Sequence, residues 1–290
     1  MEKTQNTRHE SEDVGCNGLV RGVARNLYTH QQFQAALTTK ADGPFYCGAC
    51  NTDAILHKCA EKADHFAHIA RLSPVIGPLE SALHSACKHE ICDALAERHL
   101  DGKWEVERTI PENKSIGVPE LRPDISGRVF DKRVAIEIQT SALTPSKIAK
   151  RSLSYALRDI ALVWIIPLHE PLGNDPFRPK LYERYLHSLY FGRVYYWWPG
   201  CNVTVQPVHF APATRYVEYR EWYEHGSQQT GGDYTSEYKV IKKPNYGQPL
   251  LLDIDFERCE RASFTPENER KRIPSCVIWK DSLQKWWPDA

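Results

Sequence analysis

In the stretch RPDISGRVFDKRVAIEIQ, Asp124 follows Arg-Pro, and Glu137 and Gln139 interrupt the apolar run VAIEIQ; together these side chains could hold a metal ion. Side chains of a β-strand alternate between its two faces, so Glu137 and Gln139 would lie on the same face. We expect the preceding strand to fold back against this one, with Ser126–Phe130 paired to Val134–Ile138. This hairpin would bring Asp124 close to Glu137, so the sequence predicts two carboxylates at one place.

Two neighbouring carboxylates are oxygen ligands for Mg²⁺ or Mn²⁺. Hydrolysis of a phosphodiester requires that negative charge on the phosphate be neutralised and that a water be deprotonated near neutral pH, and a bound divalent ion does both. Without an ion the carboxylates would repel each other and the pKa of one would rise. An edge strand with exposed acids, or a structural ion-pair network, would leave the same pattern.

The strand itself supplies no positive charge beside these acids, because Gln139 ends in an amide. Lys147 and Arg151 lie four residues apart on the next predicted helix, and either could supply a cation or bind a phosphate. Lys88, on the first predicted helix, is a rival candidate. Each of the three could equally be a solvated surface charge.

A second motif has the spacing of a zinc site. Two cysteines in a CxxC turn are followed after fourteen residues by HFAH, which gives four ligands: Cys47, Cys50, His65 and His68. Four protein ligands would close a tetrahedral shell, so this zinc would be structural rather than catalytic. Cys59 or His57 could replace one of the four. The alternative is two buried thiols and two surface imidazoles.

The surrounding pattern predicts the elements that position these residues. We expect helices over 79–100 and 145–158 and strands over 103–110, 120–130, 132–139 and 161–168. Thr144 before Pro145 is typical of an N-cap followed by the first helical residue. Apolar spacing predicts the buried stripe of the second helix: Ala149, Leu153, Ala156 and Leu157. The run ALVWIIPL suits a strand that is buried on both faces.

Changes in composition divide the chain into four segments: a polar lead-in over 1–42, a zinc-finger-like segment over 43–72, a core over 73–168 that contains the predicted carboxylate pair, and an accessory region over 169–290. The lead-in contains one helix-like pattern, HQQFQAAL. In the accessory region we expect strands in RVYYWW and NVTVQPVHF and a mobile loop around residues 225–236.

The aromatic residues of the accessory region permit two interpretations. They could stack on unpaired bases, with basic residues as phosphate contacts: Lys239, Lys242, Lys243 and Arg270–Arg272. We favour the second interpretation, that most of them form core, because Tyr and Trp bury well when their polar tips are satisfied.

The composition restricts the class of protein only mildly. The formal net charge of the 290 residues is zero, so any nucleic-acid surface must be a local patch. No apolar run is long enough to span a bilayer and the start of the chain is polar, so we expect a cytoplasmic protein without a membrane segment. Nine cysteines in such a chain favour thiols or metal ligands over a disulfide framework.

Taken in order, several motifs resemble the competence protein CoiA nuclease-like family, a group of the PD-(D/E)xK nuclease superfamily. The matching stretches are HFAH, ESALHSACK, RPDI, AIEIQTS, the pair Arg151 and Tyr155, and VWII. They extend over about residues 43–168. The resemblance implies an α/β fold of the α+β kind, with a restriction-endonuclease-like core of helix, three strands, helix and strand.

The resemblance also implies a metal-dependent deoxyribonuclease that processes incoming or foreign DNA in transformation, recombination or phage defence, with proteins of those pathways as candidate partners. Its implied metal ligands are Asp124 and Glu137, with Glu80 as a third acid and the Ile138 carbonyl available to the ion. Most of the superfamily has Lys where this chain has Gln139, but the CoiA-like branch also reads E-x-Q. The candidate DNA contacts are Lys88, Lys150, Arg151 and Tyr155.

Two other functions remain compatible with the same residues. One is a zinc-stabilised nucleic-acid-binding module whose nuclease site is inactive because of Gln139. The other is a scaffold in which both motifs are structural. His84 shares a helix face with Glu80 and could orient it, shuttle a proton or simply be a core histidine. Cys87 and Cys92 are most simply small buried residues.

Overall fold

A computed structural model of the chain describes residues 22–48, 51, 53–59, 63–68, 82–140, 143–224, 227–266 and 272–288. Over these residues the protein is β-rich and mixed α/β, with three α-helices. None of these helices is long and apolar enough to cross a membrane. The chain divides into two compact units: residues 1–72, 175–178 and 212–243 form the first, and residues 73–174, 179–211 and 244–290 form the second.

The first unit contains a five-stranded antiparallel sheet in the order β2-β1-β3-β4-β5. Its strands are β1 (Val23–Asn26), β2 (Gln32–Gln34), β3 (Phe45–Tyr46), β4 (Asp53–His57) and β5 (His65–His68). The core of this sheet is small and apolar: Ala24, Ala35, Phe45, Ala54, Leu56 and Phe66. The helix predicted from HQQFQAAL is wrong. Those residues form β2 and a 3-10 turn, Ala35–Leu37, because burial of Ala35 in this core overrides the helical spacing.

The second unit begins with the predicted order of helix, three strands, helix and strand. The elements are α1 (Ala82–Arg98), β6 (Glu105–Val106), β7 (Ile125–Val129), β8 (Lys132–Ile138), α2 (Pro145–Ala156) and β9 (Ala161–Pro167). The strands are shorter than predicted, and residues 79–81 lie outside the described part of the chain. Every residue of β9 is buried, which confirms the expectation of a strand covered on both faces.

The sheet continues past residue 168, where the accessory region was expected to begin. The next elements are α3 (Leu181–Leu189), β10 (Val194–Trp197) and β11 (Thr204–Val217). β10 pairs with β9 in parallel, and β11 pairs with β10 antiparallel. The aromatics here are core, as favoured from the sequence: Tyr182, Tyr185, Tyr190, Tyr195, Tyr196 and Trp197 are all buried.

The remaining strands are β12 (Arg220–Glu224), β13 (Ser227–Gly231), β14 (Tyr234–Tyr246), β15 (Leu250–Leu251), β16 (Phe256–Arg261) and β17 (Cys276–Asp281). β12 and β13 form a two-stranded hairpin. β14 pairs with β11, and β16 pairs with β17. The predicted mobile loop around residues 225–236 is therefore wrong for most of its length, since residues 227–231 and 234–236 are strand and pair with neighbouring strands.

The register of β7 against β8 differs from the predicted one by three residues. Ile125 pairs with Ile136, and Val129 pairs with Lys132. The prediction failed because the turn is shorter than assumed: only Phe130 and Asp131 connect the strands, and Phe130 adopts a left-handed conformation with φ of 52°. The observed register, continued by one residue, sets Asp124 opposite Glu137.

The helix α2 starts as predicted but buries a different face. Thr144 is the N-cap, its hydroxyl accepts a hydrogen bond from the Lys147 amide, and Pro145 is the first helical residue. The predicted apolar stripe is wrong, because Leu153 and Leu157 are exposed. The buried residues are Pro145, Ile148, Ser152, Ser154 and Tyr155. The helix is rotated so that Tyr155 and Arg151 contact Glu137, a polar contact that hydropathy alone does not reveal.

Candidate active site

Two carboxyl groups meet where β7 and β8 pair. Asp124 immediately precedes β7, and its Oδ2 accepts a hydrogen bond from the backbone amide of Ile138 at 2.7 Å. Glu137 is the sixth residue of β8, and its Oε1 accepts a hydrogen bond from the Tyr155 hydroxyl at 2.5 Å. The two carboxyls are near enough that Asp124 raises the pKa of Glu137 through its charge and through a side-chain hydrogen bond. The predicted convergence is therefore present.

Glu137 is in an unfavourable place for a lone negative charge. Its side chain is 1% exposed, and this burial, reinforced by the charge of Asp124, raises its pKa to about 8. Arg151 and the Tyr155 hydroxyl oppose the rise without cancelling it. Near neutral pH, Glu137 therefore keeps its proton unless another positive charge enters the site.

Asp124 is held in its ionised form. Burial alone would raise its pKa, but hydrogen bonds from His84 and from the Ile138 amide, with the charge of Arg151, hold that pKa below its ordinary value. The Nε2 atom of His84 lies 3.4 Å from Oδ1 of Asp124. His84 therefore contacts Asp124 directly, whereas Glu80, the partner suggested for it from helix spacing, lies outside the described residues.

Arg151 supplies the cation of the site. Its Nε lies 3.0 Å from Oε1 of Glu137, and its Nη2 donates to the backbone carbonyl of Arg122 at 3.2 Å. Burial would lower its pKa, but the neighbouring carboxyl groups, Glu137 first and then Asp124, raise that pKa above its ordinary value, so the guanidinium stays charged. Lys147 and Lys150 lie on exposed positions of the same helix. Of the candidates on α2, only Arg151 has a described contact with a carboxyl group of this site.

Gln139 follows β8 directly and is buried. Its backbone amide donates to the carbonyl of Ile165 at 2.8 Å, which continues the pairing of β8 with β9. Strand alternation places its side chain on the face of Glu137, as predicted. The residue two positions after Glu137 is therefore a buried neutral amide.

Two of the predicted DNA contacts are buried instead of exposed. Tyr155 is fully buried, and burial together with the charge of Glu137 raises the pKa of its hydroxyl, so it acts as a hydrogen-bond donor. Lys88 is 3% exposed, and its Nζ contacts Oε1 of Glu107 at 2.5 Å. Sequence reasoning gave no role to Glu107, because no motif or spacing marks it.

The carboxyl pair fits a hard divalent cation. Mg²⁺ and Mn²⁺ prefer oxygen ligands, and a second positive charge beside Glu137 would favour ionisation of a group that burial keeps protonated. Asp124 and Glu137 would be the ligands. Within the described ranges, which do not include Glu80, no group of three or more His, Cys, Asp or Glu side chains could hold a metal ion.

The two histidines predicted as zinc ligands lie on different faces of the first sheet. Strand alternation puts His65 and His68 on opposite faces of β5. His65 stacks on His57 at 5.2 Å between ring centroids, and its Nδ1 lies 3.8 Å from Cys59 Sγ. His68 lies on the face of the buried Phe66. Cys47 is buried after β3, and Cys50 lies outside the described residues, so the zinc site stays a prediction.

Comparison with known families agrees with this arrangement. Residues 80–179 match the model for the nuclease-like domain of competence protein CoiA, and residues 28–73 match the model for its N-terminal domain. Together these matches support the competence protein CoiA family. The CoiA nuclease-like match includes Asp124, Glu137 and Arg151, and the CoiA N-terminal match includes β2 to β5. No curated protein and no solved structure matches the chain.

Proposed function

We propose that the chain is a metal-dependent deoxyribonuclease of the PD-(D/E)xK type, which hydrolyses phosphodiester bonds of DNA with Mg²⁺ or Mn²⁺. One observation carries most of the proposal: the carboxyls of Asp124 and Glu137 meet beside the guanidinium of Arg151. The match of residues 80–179 to a nuclease-like domain supports the same reaction class.

Asp124 and Glu137 would hold the divalent ion, with Glu80 and the Ile138 carbonyl as further expected ligands. When bound, such an ion neutralises charge on the phosphate and lowers the pKa of a coordinated water. The role of the protein is to keep the ligands in place. The Ile138 amide and His84 each contact one oxygen of Asp124, and Tyr155 holds Glu137, so both carboxyls are oriented before substrate arrives.

Arg151 would supply the positive charge that a lysine supplies, in most of the superfamily, at the position of Gln139. A guanidinium can donate two parallel hydrogen bonds to phosphate oxygens and remains charged at any physiological pH. The hydrogen bond to the Arg122 carbonyl orients the Arg151 side chain from α2 toward the carboxyl pair. The side chain is 40% exposed, so a phosphate can reach it. This placement brings a positive charge to the reacting phosphate from a helix instead of from β8.

Replacing Arg151 should therefore reduce cleavage more than replacing its neighbours on α2. We expect Arg151→Ala to lower kcat/KM by about tenfold or more, since loss of about 1.4 kcal/mol of transition-state stabilisation has that effect. Lys147 and Lys150 are exposed and lie one turn and one residue before Arg151, respectively. Lys147→Ala and Lys150→Ala should therefore have little effect on kcat. If Lys147→Ala is the more damaging variant, the cation comes from Lys147 and the assignment to Arg151 is wrong.

Gln139 supports one alternative function, a DNA-binding module without nuclease activity. A buried amide cannot supply the charge that Lys gives in most of the superfamily, so activity depends on whether Arg151 replaces it. The alternative predicts binding of DNA without cleavage under any metal condition.

The first test is cleavage by the wild-type protein of linear, circular and single-stranded DNA with Mg²⁺, Mn²⁺ or EDTA. We expect cleavage with at least one of the two ions and none with EDTA, because the carboxyl pair needs a cation to act on a phosphate. The three substrates also show whether ends or paired strands are required. Binding without cleavage in all conditions would favour the inactive module, and cleavage in EDTA would exclude metal dependence.

In the cell we propose that this activity processes incoming or foreign DNA. The support is the family to which the two matching models belong, competence protein CoiA. Transformation, recombination and defence against phage are all compatible with such an activity, and the proteins of these processes are the candidate partners.

The structural zinc of the N-terminal unit is a separate proposal, and strand geometry supports one histidine over the other as its ligand. His68 and Cys47 are both buried, whereas His65 lies on the opposite face of β5 from His68. We expect His68→Ala to lower the zinc content of the purified protein as Cys47→Ser does, and His65→Ala to leave it unchanged. Metal analysis of the three variants checks this. Loss of zinc in His65→Ala alone would assign the site to the other face, with His57 and Cys59.

A further inference from the structure

The carboxylate of Glu107 lies between two cations from different elements. Its Oε1 accepts from Lys88 Nζ, on α1, at 2.5 Å, and its Oε2 contacts the guanidinium of Arg122. The Nε of Arg122 also donates to the backbone carbonyl of Glu107 at 3.1 Å. One carboxylate is therefore shared by an ammonium and a guanidinium.

This trio is adjacent to the candidate active site. The Glu107 amide donates to the Asp124 carbonyl at 3.0 Å, and the Arg122 carbonyl accepts from Arg151. Lys88 lies one turn after His84 on the same face of α1, and His84 contacts Asp124. Lys88 and Arg122 are therefore each linked to the carboxyl pair through one intervening residue.

Exposure to solvent increases from Lys88 through Glu107 to Arg122. Lys88 is 3% exposed, the side chain of Glu107 is 34% exposed, and that of Arg122 is 62% exposed. A buried ammonium needs an anion beside it, because an unpaired buried charge is strongly destabilising. Glu107, the anion that the described residues place beside Lys88, is a partly exposed side chain that solvent can reach. Glu107 also has a left-handed backbone with φ of 51°, a conformation that non-glycine residues adopt at a cost.

We propose that Lys88 and Arg122 form a receptor for a DNA backbone phosphate beside the scissile one, and that the Glu107 carboxylate occupies this receptor in the free protein. The proposal deepens the nuclease function and rests on it for the identity of the ligand. Phosphate oxygens accept hydrogen bonds from ammonium and guanidinium groups as carboxylate oxygens do. A phosphate that enters displaces Glu107 toward solvent, so Glu107 competes with DNA and weakens its binding.

A purely structural ion network, which only fastens α1 to the segment after β6, makes a different prediction. In that case removal of the Glu107 charge destabilises the protein, and no added anion restores stability. In the receptor, an external phosphate replaces the lost carboxylate.

The first experiment uses inorganic phosphate and Glu107→Gln, with thermal unfolding followed at constant ionic strength. The matched control is Glu105→Gln, two residues earlier in β6, which removes an exposed pairing with Arg108. We expect phosphate to raise the Tm of Glu107→Gln by about 2–4 °C more than it raises the Tm of the wild type and of the control. A ligand that stabilises the folded state by about 1 kcal/mol gives a shift of this size in a protein of this length. An equal shift in all three proteins, or none in Glu107→Gln, overturns the receptor.

The second experiment measures binding of a labelled DNA duplex in EDTA, so that metal-dependent cleavage does not occur. Glu107→Gln should bind about tenfold more tightly, and its affinity should fall more steeply with salt, by about 0.9 in logarithmic slope for one added phosphate contact. Arg122→Ala changes an exposed side chain and tests the same receptor if Glu107→Gln does not fold. It should bind DNA more weakly than the wild type, and unchanged affinity overturns the proposal.

The two proposals fail in distinguishable ways. If the wild type binds and cuts DNA while Glu107→Gln gains neither phosphate-dependent stability nor affinity, the receptor is wrong and the nuclease stands. If phosphate stabilises Glu107→Gln while no protein binds DNA, the anion receptor stands and the deoxyribonuclease function is wrong.

Discussion

Asp124→Asn and Glu137→Gln should each lower DNA cleavage by at least a hundredfold while leaving DNA binding close to that of the wild type. Both substitutions keep the size of the side chain and remove the negative charge that a divalent ion requires. Asp124 is held ionised by His84 and the Ile138 amide, so its replacement removes a ligand that is ready to bind metal. A hundredfold loss corresponds to about 2.7 kcal/mol of transition-state stabilisation, a modest expectation for a catalytic metal ligand.

The matched control is Asp131→Asn. Asp131 lies in the turn of the same hairpin and its side chain is 77% exposed, so the variant removes one carboxylate from the hairpin without touching the carboxyl pair. All four proteins should be prepared identically and assayed on the DNA form that the wild type prefers. Equal cleavage by wild type, Asp124→Asn and Glu137→Gln would mean that a contaminating nuclease is being measured. Loss of DNA binding in the two variants would mean that the acids shape the fold instead of the chemistry.

The sequence predicts the elements of the nuclease-like unit better than their contacts. The N-cap at Thr144 and the buried β9 follow from local rules on capping and apolar runs, and both are confirmed. The register of β7 against β8 depends on the length of the turn between them. The turn has only two residues because Phe130 adopts a positive φ, a conformation that a phenylalanine in the sequence does not suggest. The observed register, and not the predicted one, sets Asp124 opposite Glu137, because a shift of three residues moves the Asp124 side chain from the face of Thr140 to the face of Glu137.

The contacts that the sequence does not predict are made by polar side chains buried at positions where apolar or exposed residues were expected. The helix α2 buries Tyr155 and leaves Leu153 exposed, because the Tyr155 hydroxyl donates a hydrogen bond to the buried carboxyl group of Glu137. From the sequence, Lys88 is a candidate DNA contact or a solvated surface charge and Glu107 has no role, whereas in the structure the buried Lys88 contacts Glu107. Pairing of buried charges from distant elements leaves no periodic signal in the sequence.

The metal-free protein should lose stability as pH rises through the range in which Glu137 ionises, and Glu137→Gln should remove this loss. The carboxyl has an ordinary pKa of 4.5 in the unfolded chain, and burial raises it to about 8 in the folded one. Between these values the folded state binds more protons than the unfolded state, so the free energy of unfolding falls with increasing pH. The contribution of Glu137 is fully present below pH 4.5 and is lost by about pH 8.

The measurement is urea unfolding of wild type and Glu137→Gln in EDTA at several pH values between 5 and 9. We expect the variant to gain stability relative to the wild type as pH rises, by on the order of a few kcal/mol in total, with no further gain above about pH 8. Comparing the two proteins cancels other titrating groups, including Asp124, whose lowered pKa affects stability only in more acidic solution.

Adding Mg²⁺ or Mn²⁺ at the upper end of the range connects this behaviour to the proposed site. An ion that binds only the folded state stabilises it by an amount that grows with its concentration. Because the ion requires the ionised carboxylate, the gain should be larger at pH 8 than at pH 5 and larger in wild type than in Glu137→Gln. Parallel pH profiles for the two proteins in EDTA would show that Glu137 is already ionised in the folded state, and a metal-induced gain equal in both would locate the ion elsewhere.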